Sequence, residues 1–410
     1  MTDKKPKKFD VSVKGNIRDL LAFKNLVSDR KKRIQKASSK PLNLDPIKNL
    51  VQDLHPIKQH LKVESIKDET KSTRTFKLVA DPDSETKKLA FFRAGQYISL
   101  KINVNGVDIT RPYSISSSPS EALEGFYEIT IRKKDQGFLT DFIWQNWHIG
   151  TKIESSGPEG NFYFEPLRDL NHIVGIVGGS GITPFRSIAK EIVNGNIYAK
   201  LTMFYGSSDE EDILFYDEFK EMEKNYSVRI KTVFVLSCED PKLDGCEEGF
   251  ITAELIKKYV DVNDCSFFLC GPQEMYDFEN TELKKFNLPP RRIRREVFGE
   301  IKDIVSYPDF PKDLKDKTFK IKVHIGNLSK EIPAITTESI LVAMERAGLA
   351  PPSKCRSDIC GFCRSILLSG RIYINPIQDS RRSADKLLNY IHPCSSYPLS
   401  DLEIEVPRRL

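Results

Sequence analysis

The sequence predicts a multidomain chain: a short helical extension, an antiparallel β-barrel, an α/β domain with a parallel sheet, and a small C-terminal domain. Three observations predict this class. Short alternating strands follow residue 59, strand–helix alternation follows residue 169, and three cysteines share one loop near the C-terminus. A chain of 410 residues is long enough for roughly two to four domains.

The composition is that of an ordinary globular protein, with 39% hydrophobic and 30% charged residues. No apolar run approaches the roughly 18 residues of a membrane-spanning helix, and the N-terminus lacks the apolar core of a secretion signal. We therefore expect a cytoplasmic protein whose cysteines serve metal binding or catalysis rather than disulfides. Residues 1–62 carry a net charge of +10 and residues 317–410 carry +5, whereas the middle carries −10. This unevenness argues against a nucleic-acid-binding protein.

Residues 1–58 form the predicted basic, helical extension. Apolar residues repeat at helical spacing from Ile17 to Val27, and the basic run 30–33 follows them. A second helix is predicted from Pro46, because proline is favoured in the first turn of a helix. We expect this extension either to pack on the rest of the chain or to dock a partner, and the sequence favours neither.

Residues 59–168 form the predicted barrel. Ile98, Leu100 and Ile102 alternate with polar residues, and Asn105-Gly106 is typical of a two-residue hairpin turn. More short strands follow, with one helix among them near residues 138–144. An antiparallel domain with one helix is most economically a small barrel.

Residues 169–300 form the predicted α/β domain, in which buried strands alternate with helices and imply a parallel sheet covered on both faces. A proline-bearing linker is predicted at 301–317, and a last domain at 318–410.

The cysteines near the C-terminus carry the most specific signal. Cys355, Cys360 and Cys363 form a C-x4-C-x2-C pattern, and Cys394 follows. This spacing is typical of a plant-type [2Fe–2S] site, in which four thiolates hold two irons. The alternatives are unrelated buried thiols or a zinc site. Zinc ribbons usually pair two C-x2-C knuckles, and only one is present here.

Residues 318–410 resemble a plant-type ferredoxin domain, which implies a β-grasp fold around the cluster. The sequence departs from that family at Asp358, where a glycine is expected. It also departs in charge, because Lys354, Arg356 and Arg364 lie beside the cysteines. From these basic residues we expect an electron acceptor with an acidic docking face.

The end of the barrel region reads Arg111-Pro112-Tyr113-Ser114 and resembles the R-x-Y-S signature of the ferredoxin–NADP reductase superfamily, whose barrel binds a flavin. The resemblance implies that Arg111 pairs with a flavin phosphate, Tyr113 packs against the isoalloxazine and Ser114 lies near its N5. A helix start at a glycine presents free amides to an anion. It resembles the second phosphate-contacting segment of the family, here Gly137, Phe138, Leu139 and Thr140.

A glycine-rich turn opens the α/β domain and matches the family pattern G-G-x-G-I-T-P. Glycines let a pyrophosphate approach the backbone, and a helix N-terminus favours its charge. The predicted nucleotide-binding residues are Gly178, Gly179, Ser180, Gly181, Thr183 and Pro184.

Two downstream elements resemble the catalytic end of the same family. Cys270, Gly271 and Pro272 resemble its C-G-P element, whose cysteine lies close to the nicotinamide. Glu296 resembles the acidic residue that ends the nucleotide-binding domain. The resemblance therefore implies Ser114, Cys270 and Glu296 as the catalytic residues.

Charge predicts which dinucleotide binds. Asp209 begins an acidic run after the second parallel strand, and no basic residue accompanies it. Acidic side chains accept hydrogen bonds from a free ribose hydroxyl and repel a 2′-phosphate, so we expect NADH rather than NADPH.

The order of the domains resembles that of reductase components of multicomponent oxygenases and of hybrid-cluster-protein reductases. It implies that electrons pass from NADH through FAD, with FMN as the alternative flavin, and a [2Fe–2S] cluster to a separate acceptor protein. Two other interpretations stay open. The chain oxidises a low-potential carrier to reduce NAD, or it is a cluster-based redox sensor that binds a partner through residues 1–58.

Overall fold

The structure is a computed structural model that describes residues 17–37, 46–134, 137–237, 243, 245–297, 299–301 and 303–407. The chain divides into two compact units, residues 1–50 and residues 51–410. The predicted N-terminal helices are present as α1 (Ile17–Lys36) and α2 (Pro46–Leu54), while the rest of the predicted extension before residue 46 lies largely outside the described residues. No helix in the described part of the chain combines the length and apolar character needed to cross a membrane.

The barrel is built from six antiparallel strands, which pair in the order β4-β3-β6-β1-β2-β5. An antiparallel bridge between Ile115 and Ile129 joins the two end strands, and the amide of Ser116 donates to the carbonyl oxygen of Glu128 at 2.7 Å. The sheet therefore closes, as the sequence predicts. The strands are β1 (Gln59–Thr70), β2 (Thr73–Ala80), β3 (Tyr97–Val104), β4 (Val107–Ser114), β5 (Phe126–Arg132) and β6 (Lys152–Ser155).

Two helices accompany the barrel, α3 (Pro119–Leu123) and α4 (Phe138–Asn146). Leu139 and Ile143 of α4 pack into the apolar interior, which the inward side chains of every strand fill. The helix that the sequence predicts near residues 138–144 thus packs against the barrel and completes its core.

The second sheet has six parallel strands in the order β10-β9-β8-β7-β11-β12. Its first strand lies in the middle, so the chain winds outward in both directions and leaves a crevice at the carboxyl ends of β7 and β11. The strands are β7 (His172–Gly178), β8 (Lys200–Ser207), β9 (Ile230–Leu236), β10 (Glu247–Glu248), β11 (Ser266–Cys270) and β12 (Ile293–Glu296).

Helices cover both faces of this sheet, and each face has its own apolar core. This arrangement confirms the predicted doubly covered parallel sheet. The helices are α5 (Thr183–Val193), α6 (Tyr216–Asn225), α7 (Ala253–Tyr259) and α8 (Gln273–Lys284).

The C-terminal domain has a five-stranded sheet in the order β14-β13-β19-β15-β17, with a separate β16–β18 pair. Helix α9 packs on the sheet, and its apolar residues share the core with Cys363 and Cys394. The elements are β13 (Thr318–Ile325), β14 (Leu328–Ile335), α9 (Ile340–Arg346), β15 (Ser365–Ser369), β16 (Ile372–Tyr373), α10 (Ser383–Leu387), β17 (Tyr390–Ile391), β18 (Tyr397–Pro398) and β19 (Leu402–Val406).

The segment predicted as a linker packs against the C-terminal domain. Ile304 and Phe310 are buried, and they form a small core with Tyr373 and Tyr397. The ring of Phe310 meets the ring of Tyr373 edge to face, with centroids 5.2 Å apart. This contact fixes the direction in which the chain enters the C-terminal domain.

Candidate active site and cluster site

The glycine-rich turn after β7 lies directly against the start of the C-G-P element after β11. A Cβ atom at Gly181 would lie 2.0 Å from the carbonyl oxygen of Cys270, and one at Gly178 would lie 2.7 Å from Cδ of Pro272. Because β7 and β11 are neighbours in the sheet, these two elements meet in its crevice. Only residues without a side chain allow this contact.

A cleft of about 980 Å³ opens from this crevice and continues onto the barrel. The barrel contributes Pro112, Tyr113, Ser114 and Thr140 to its walls. The structure therefore brings most of the predicted flavin and nucleotide residues to one site, although Pro184 is buried in the first turn of α5 and does not line it. The α/β domain contributes, from the predicted set, Gly178, Gly179, Ser180, Gly181, Thr183, Cys270, Gly271 and Pro272.

Two side chains in the cleft fit a flavin. The Oγ atom of Ser114 is buried and makes no hydrogen bond with any described residue, so it is free to bond a ligand atom. Burial raises the pKa of Tyr113 to about 12, and its ring stays neutral beside the cleft. A buried hydroxyl and a neutral aromatic ring suit the polar edge and the flat face of an isoalloxazine.

The four C-terminal cysteines form two pairs. The sulfurs of Cys363 and Cys394 are 3.5 Å apart, and Cys355 and Cys360 share hydrogen bonds, including one from the Cys360 amide to the Cys355 sulfur at 3.4 Å. The hydrogen bond with the Cys360 thiol, helped by backbone amides, lowers the pKa of Cys355 toward the thiolate form. Two thiolates for each of two irons is the donor set of a [2Fe–2S] cluster.

The zinc alternative fits less well. Among the described residues, no three side chains of Cys, His, Asp or Glu converge as the ligands of a single metal ion would. The pairing of the sulfurs favours a two-iron cluster.

Three domain families match successive parts of the chain: an oxidoreductase FAD-binding domain over residues 60–164, an oxidoreductase NAD-binding domain over 176–280, and a 2Fe-2S iron-sulfur cluster binding domain over 323–399. The chain belongs to the ferredoxin–NADP reductase superfamily, as a flavoprotein with a fused [2Fe–2S] domain. It is an oxidoreductase with FAD, NAD and [2Fe–2S] binding domains.

Curated relatives of this reductase match it over most of their own length. It is 24% identical over 347 residues to the glycine betaine monooxygenase reductase subunit of Chromohalobacter salexigens, which covers 82% of this chain and 92% of that protein. It is 26% identical over 353 residues to the ferredoxin reductase component of 3-ketosteroid-9-alpha-monooxygenase from Rhodococcus rhodochrous, covering 84% and 96%. The solved structure of phthalate dioxygenase reductase has the same fold, with a TM-score of 0.60, 21% identity, and coverage of 86% of this chain and 98% of that one.

Arg111 does not line the cleft, unlike Pro112, Tyr113 and Ser114 that follow it in the chain. Its Nη1 donates to the carbonyl oxygen of Thr110 at 2.9 Å and lies 3.8 Å from Oε2 of Glu345 in the C-terminal domain. Arg111 therefore lies at the boundary with the [2Fe–2S] domain and is not among the residues that line the cleft.

The residues of the second predicted phosphate-contacting segment, 137–140, do not all reach the cleft. Oγ1 of Thr140 donates to the carbonyl oxygen of Gly137 at 3.2 Å and lines the cleft. Leu139 is buried in the barrel core, whereas Phe138 is exposed. Within this segment, only the side chain of Thr140 is placed to contact a ligand in the cleft.

Asp209 lies on the predicted turn after β8, but its side chain bonds within that turn. Its carboxylate accepts from the amide of Asp212 at 3.0 Å, which stabilises the turn after β8, and it does not line the cleft. Ser207, Ser208 and Ser237 line this part of the cleft. The sequence identifies the strand correctly, but the turn points the carboxylate back at its own backbone.

Sequence reasoning misses two features of the cleft. Arg132 of the barrel forms an ion pair with Asp212, and a Cβ at Gly179 would lie 3.0 Å from Nη1 of Arg132. Glu279 of α8 is 1% exposed, lines the cleft, and its Oε2 has no hydrogen-bond partner among the described residues. Neither belongs to a local motif, so only the folded chain identifies them.

Glu296 ends β12 beside Cys270, and the two residues are direct partners in the parallel register. Burial, together with the charge of the nearby Cys355 sulfur, raises the pKa of Glu296 to about 8. Glu296 is therefore next to the cysteine of the C-G-P element and within electrostatic range of the cluster loop.

The cluster loop packs on the flavin and nucleotide domains. Lys354 forms an ion pair with Glu159, which follows the last barrel strand, and Nη1 of Arg356 donates to the carbonyl oxygen of Thr110 at 3.4 Å. Tyr97 of the barrel is 3% exposed, and burial, followed by the nearby sulfurs of Cys355 and Cys360, raises its pKa. Tyr97 is the register partner of Ser114, which lines the cleft, so the cysteine loop contacts the barrel next to a cleft residue.

This packing corrects one expectation from the sequence, that Lys354, Arg356 and Arg364 all face an acceptor. Arg356 is 1% exposed, and Lys354 is held against Glu159. Arg364 is exposed, and it pairs with Asp385 at 2.9 Å. Lys354 and Arg356 therefore form contacts between domains of this chain, and not contacts with an acceptor protein.

Proposed function

We propose that this reductase takes electrons from NADH and passes them one at a time, through FAD and the [2Fe–2S] cluster, to a separate redox protein. The observation that carries the proposal is the contact of the cluster loop with the barrel beside the cleft. Lys354 pairs with Glu159, which bridges to Tyr97, the register partner of the cleft residue Ser114. Electron transfer needs close centres, and this contact supports a short path from cleft to cluster.

The chemistry belongs to the bound groups: a flavin accepts a hydride from NADH and releases its electrons singly, and an iron–sulfur cluster carries one electron at a time. The chain's part is positioning. We assign Ser114 to hydrogen bonding with the flavin, and Gly178 to Gly181 to the pyrophosphate of NADH. Cys270 and Glu296 lie at the nicotinamide end, and the four cysteines hold the cluster.

We further propose that Arg111 binds the flavin phosphate, as the resemblance implies. When the phosphate binds, the guanidinium of Arg111 moves away from Glu345, because two parallel charge-assisted hydrogen bonds to the phosphate replace the contact with that carboxylate. The boundaries predicted from the sequence, 59–168, 169–300 and 318–410, are proposed as the three functional domains.

NADH is the proposed donor. The turn after β8 contains Asp209 and Asp212 and no basic residue, so nothing in it would neutralise a 2′-phosphate.

The acceptor is proposed to be an oxygenase component with an acidic docking face. Relatives are named as reductase subunits or components of monooxygenases. Cys360 is exposed, and exposed basic side chains follow the cluster loop at Arg364, Arg382 and Lys386. These three replace Lys354 and Arg356 as the proposed contacts.

An anaerobic titration with NADH, followed by the visible spectrum, tests the proposal. We expect both the flavin and the iron–sulfur bands to bleach in the purified protein. In the variant Cys394→Ser, which lacks one ligand of the cluster, only flavin bands should be present to bleach. Flavin bleaching with a cluster that stays oxidised in the unmodified chain would overturn the proposed direction of electron flow.

A further inference from the structure

Asp358 is the point at which the cluster loop departs from the ferredoxin pattern. Its backbone has φ +69°, in the left-handed region that favours glycine, and its side chain is 1% exposed. Aspartate tolerates this region better than most residues, because its short side chain bonds nearby groups. The departure from glycine therefore keeps the backbone shape of the loop and adds a buried carboxylate.

The carboxylate of Asp358 bonds the segment that carries the fourth cysteine. Its Oδ1 accepts from Oγ of Ser395 at 2.5 Å and from Nδ1 of His392 at 2.8 Å. Its Oδ2 accepts from the amide of Ser380. Cys394 lies between His392 and Ser395, so two of these three bonds flank a cluster ligand.

The backbone of Asp358 makes two more bonds to the same segment. Its carbonyl oxygen accepts from Nδ1 of His392 at 2.9 Å, and its amide bonds the Cys394 sulfur. The ring of His392 in turn lies against the cluster loop, because a Cβ at Gly361 would be 3.4 Å from its Nε2. His392 and Asp358 are both almost fully buried.

These contacts join two parts of the chain that no local motif connects. One part is the loop with Cys355, Cys360 and Cys363, and the other is the turn with Cys394. Each half of the cluster site has to be held at the spacing of two irons, and the loop that holds one half has left-handed residues at positions 356, 358 and 361.

We propose that Asp358 is a positioning residue for the cluster: its carboxylate ties the three-cysteine loop to His392 and Ser395 and so fixes Cys394 relative to the other ligands. Asp358 acts through these neighbours and does not bind iron. The proposal rests on the [2Fe–2S] site and is independent of the direction of electron flow.

Iron release tests the proposal without use of activity. The full-length holoprotein is mixed with the iron chelator bathophenanthroline, and the rate of loss of the visible iron–sulfur band is measured. Asp358→Gly keeps the left-handed backbone and removes the carboxylate, and Asp358→Asn keeps the size and removes the charge. We expect both variants to release iron about 10- to 100-fold faster, because groups that orient metal ligands have effects of this size.

Asp379→Asn is the matched control. Asp379 is also a largely buried carboxylate of this domain, but it bonds Arg381 and Lys386 and no residue beside a cluster cysteine. We expect iron release from this variant at the rate of the unmodified protein. The spectrum of the reduced cluster in electron paramagnetic resonance should change its g values in both Asp358 variants and stay unchanged in the control.

The outcomes decide between positioning and a general effect on folding. If the Asp358→Gly variant binds flavin and is reduced by NADH but contains no cluster, the proposal is supported, because the cluster then does not assemble without the carboxylate. If Asp358→Gly does not fold, Asp358→Asn decides. Iron release and g values equal to those of the unmodified protein in Asp358→Asn, or changes of the same size in Asp379→Asn, overturn the proposal.

Discussion

Arg356, between two cysteines of the cluster loop, forms an ion pair with Glu300, which lies where the chain leaves the nucleotide-binding domain. Its second ion-pair partner is Glu345 of α9, whose carboxylate accepts from Nη1 at 2.5 Å and Nη2 at 2.9 Å. The side chain of Arg356 is fully buried in this arrangement. Removing this charge from water is unfavourable, and the two carboxylates offset that cost only while both are paired with the guanidinium.

Replacement of this arginine tests its role. We expect Arg356→Gln to lower the free energy of unfolding by about 3 kcal/mol, because it leaves two buried carboxylates without their cation. Denaturant unfolding, followed by loss of the cluster absorbance, measures the change. Arg364→Gln is the control, since its partially exposed pair with Asp385 is worth at most about 1 kcal/mol. Equal losses in the two variants would contradict the role given to burial.

The basic surface after the cluster loop makes a prediction about electron release. The double variant Arg364→Glu, Arg382→Glu should reduce ferricyanide, an anionic acceptor, more slowly at low ionic strength. The difference should shrink near 0.1 M salt, where the screening length falls to about 10 Å. Reduction of the flavin by NADH should be unchanged.

Its control reverses two lysines elsewhere in the same domain. Lys320 and Lys322 lie on β13, outside the cluster loop and α10. The double variant Lys320→Glu, Lys322→Glu has the same net charge as the test variant. If it slows ferricyanide reduction equally, overall charge and not a docking surface is responsible.

The contact between the two nucleotide-binding elements leaves no room at Gly181. Gly181→Ala puts a methyl group 2.0 Å from the carbonyl oxygen of Cys270, so the glycine-rich turn has to move. We expect a raised KM for NADH and a loss of about 1–3 kcal/mol of stability from overpacking. Steady-state kinetics and thermal unfolding measure the two effects.

Gly206→Ala provides the comparison, because its nearest atoms are 3.5 Å away, an ordinary contact distance. Its unfolding temperature should match that of the unmodified chain. A normal KM and normal stability in Gly181→Ala would show that the turn is wider in solution than in the structure.

Glu279 predicts a pH dependence of stability. Burial, and then the charge of Glu282, raises the pKa of Glu279 from 4.5 to about 8. Between these pH values the folded chain binds a proton that the unfolded chain has lost, so stability falls as pH rises through this window. The Glu279→Gln variant lacks this titrating group, so it does not lose stability in this way as pH rises. The variant should therefore become more stable than the unmodified chain as pH rises from 4.5 to 8, by at most about 5 kcal/mol.

Parallel denaturant titrations at pH 5 and pH 8 provide the measurement, with exposed Glu221→Gln of α6 as the control. A difference between the Glu279→Gln variant and the unmodified chain that stays constant over this range would show that Glu279 is ionised in the folded state throughout.

The sequence predicts those features that depend on neighbours along the chain. The glycine-rich turn and the cysteine spacing are local, because a tight backbone approach and a thiolate loop each need particular residues in a short run. The closed barrel and the doubly covered sheet also follow, since strand period and strand–helix alternation are local patterns.

The features that escape prediction depend on partners that no motif identifies, most of them far away in the sequence and one within a turn. Arg356 resembles a surface charge, because nothing near it shows that Glu300 and Glu345 close over it. Asp209 lies on the predicted turn, but which way its carboxylate points is decided by the amide of Asp212. Glu279 and Arg132 carry no motif at all, and only the meeting of two domains brings them to the cleft.

The shared burial of Arg356 has a consequence for attempts to exchange modules between reductases. A transplanted cluster domain without an arginine at position 356 would leave Glu300 without its cation, and one without a lysine at position 354 would do the same to Glu159. A functional hybrid therefore has to carry these residues across as a set, so the natural cut point is not the chain boundary near residue 317 but the ion-pair surface.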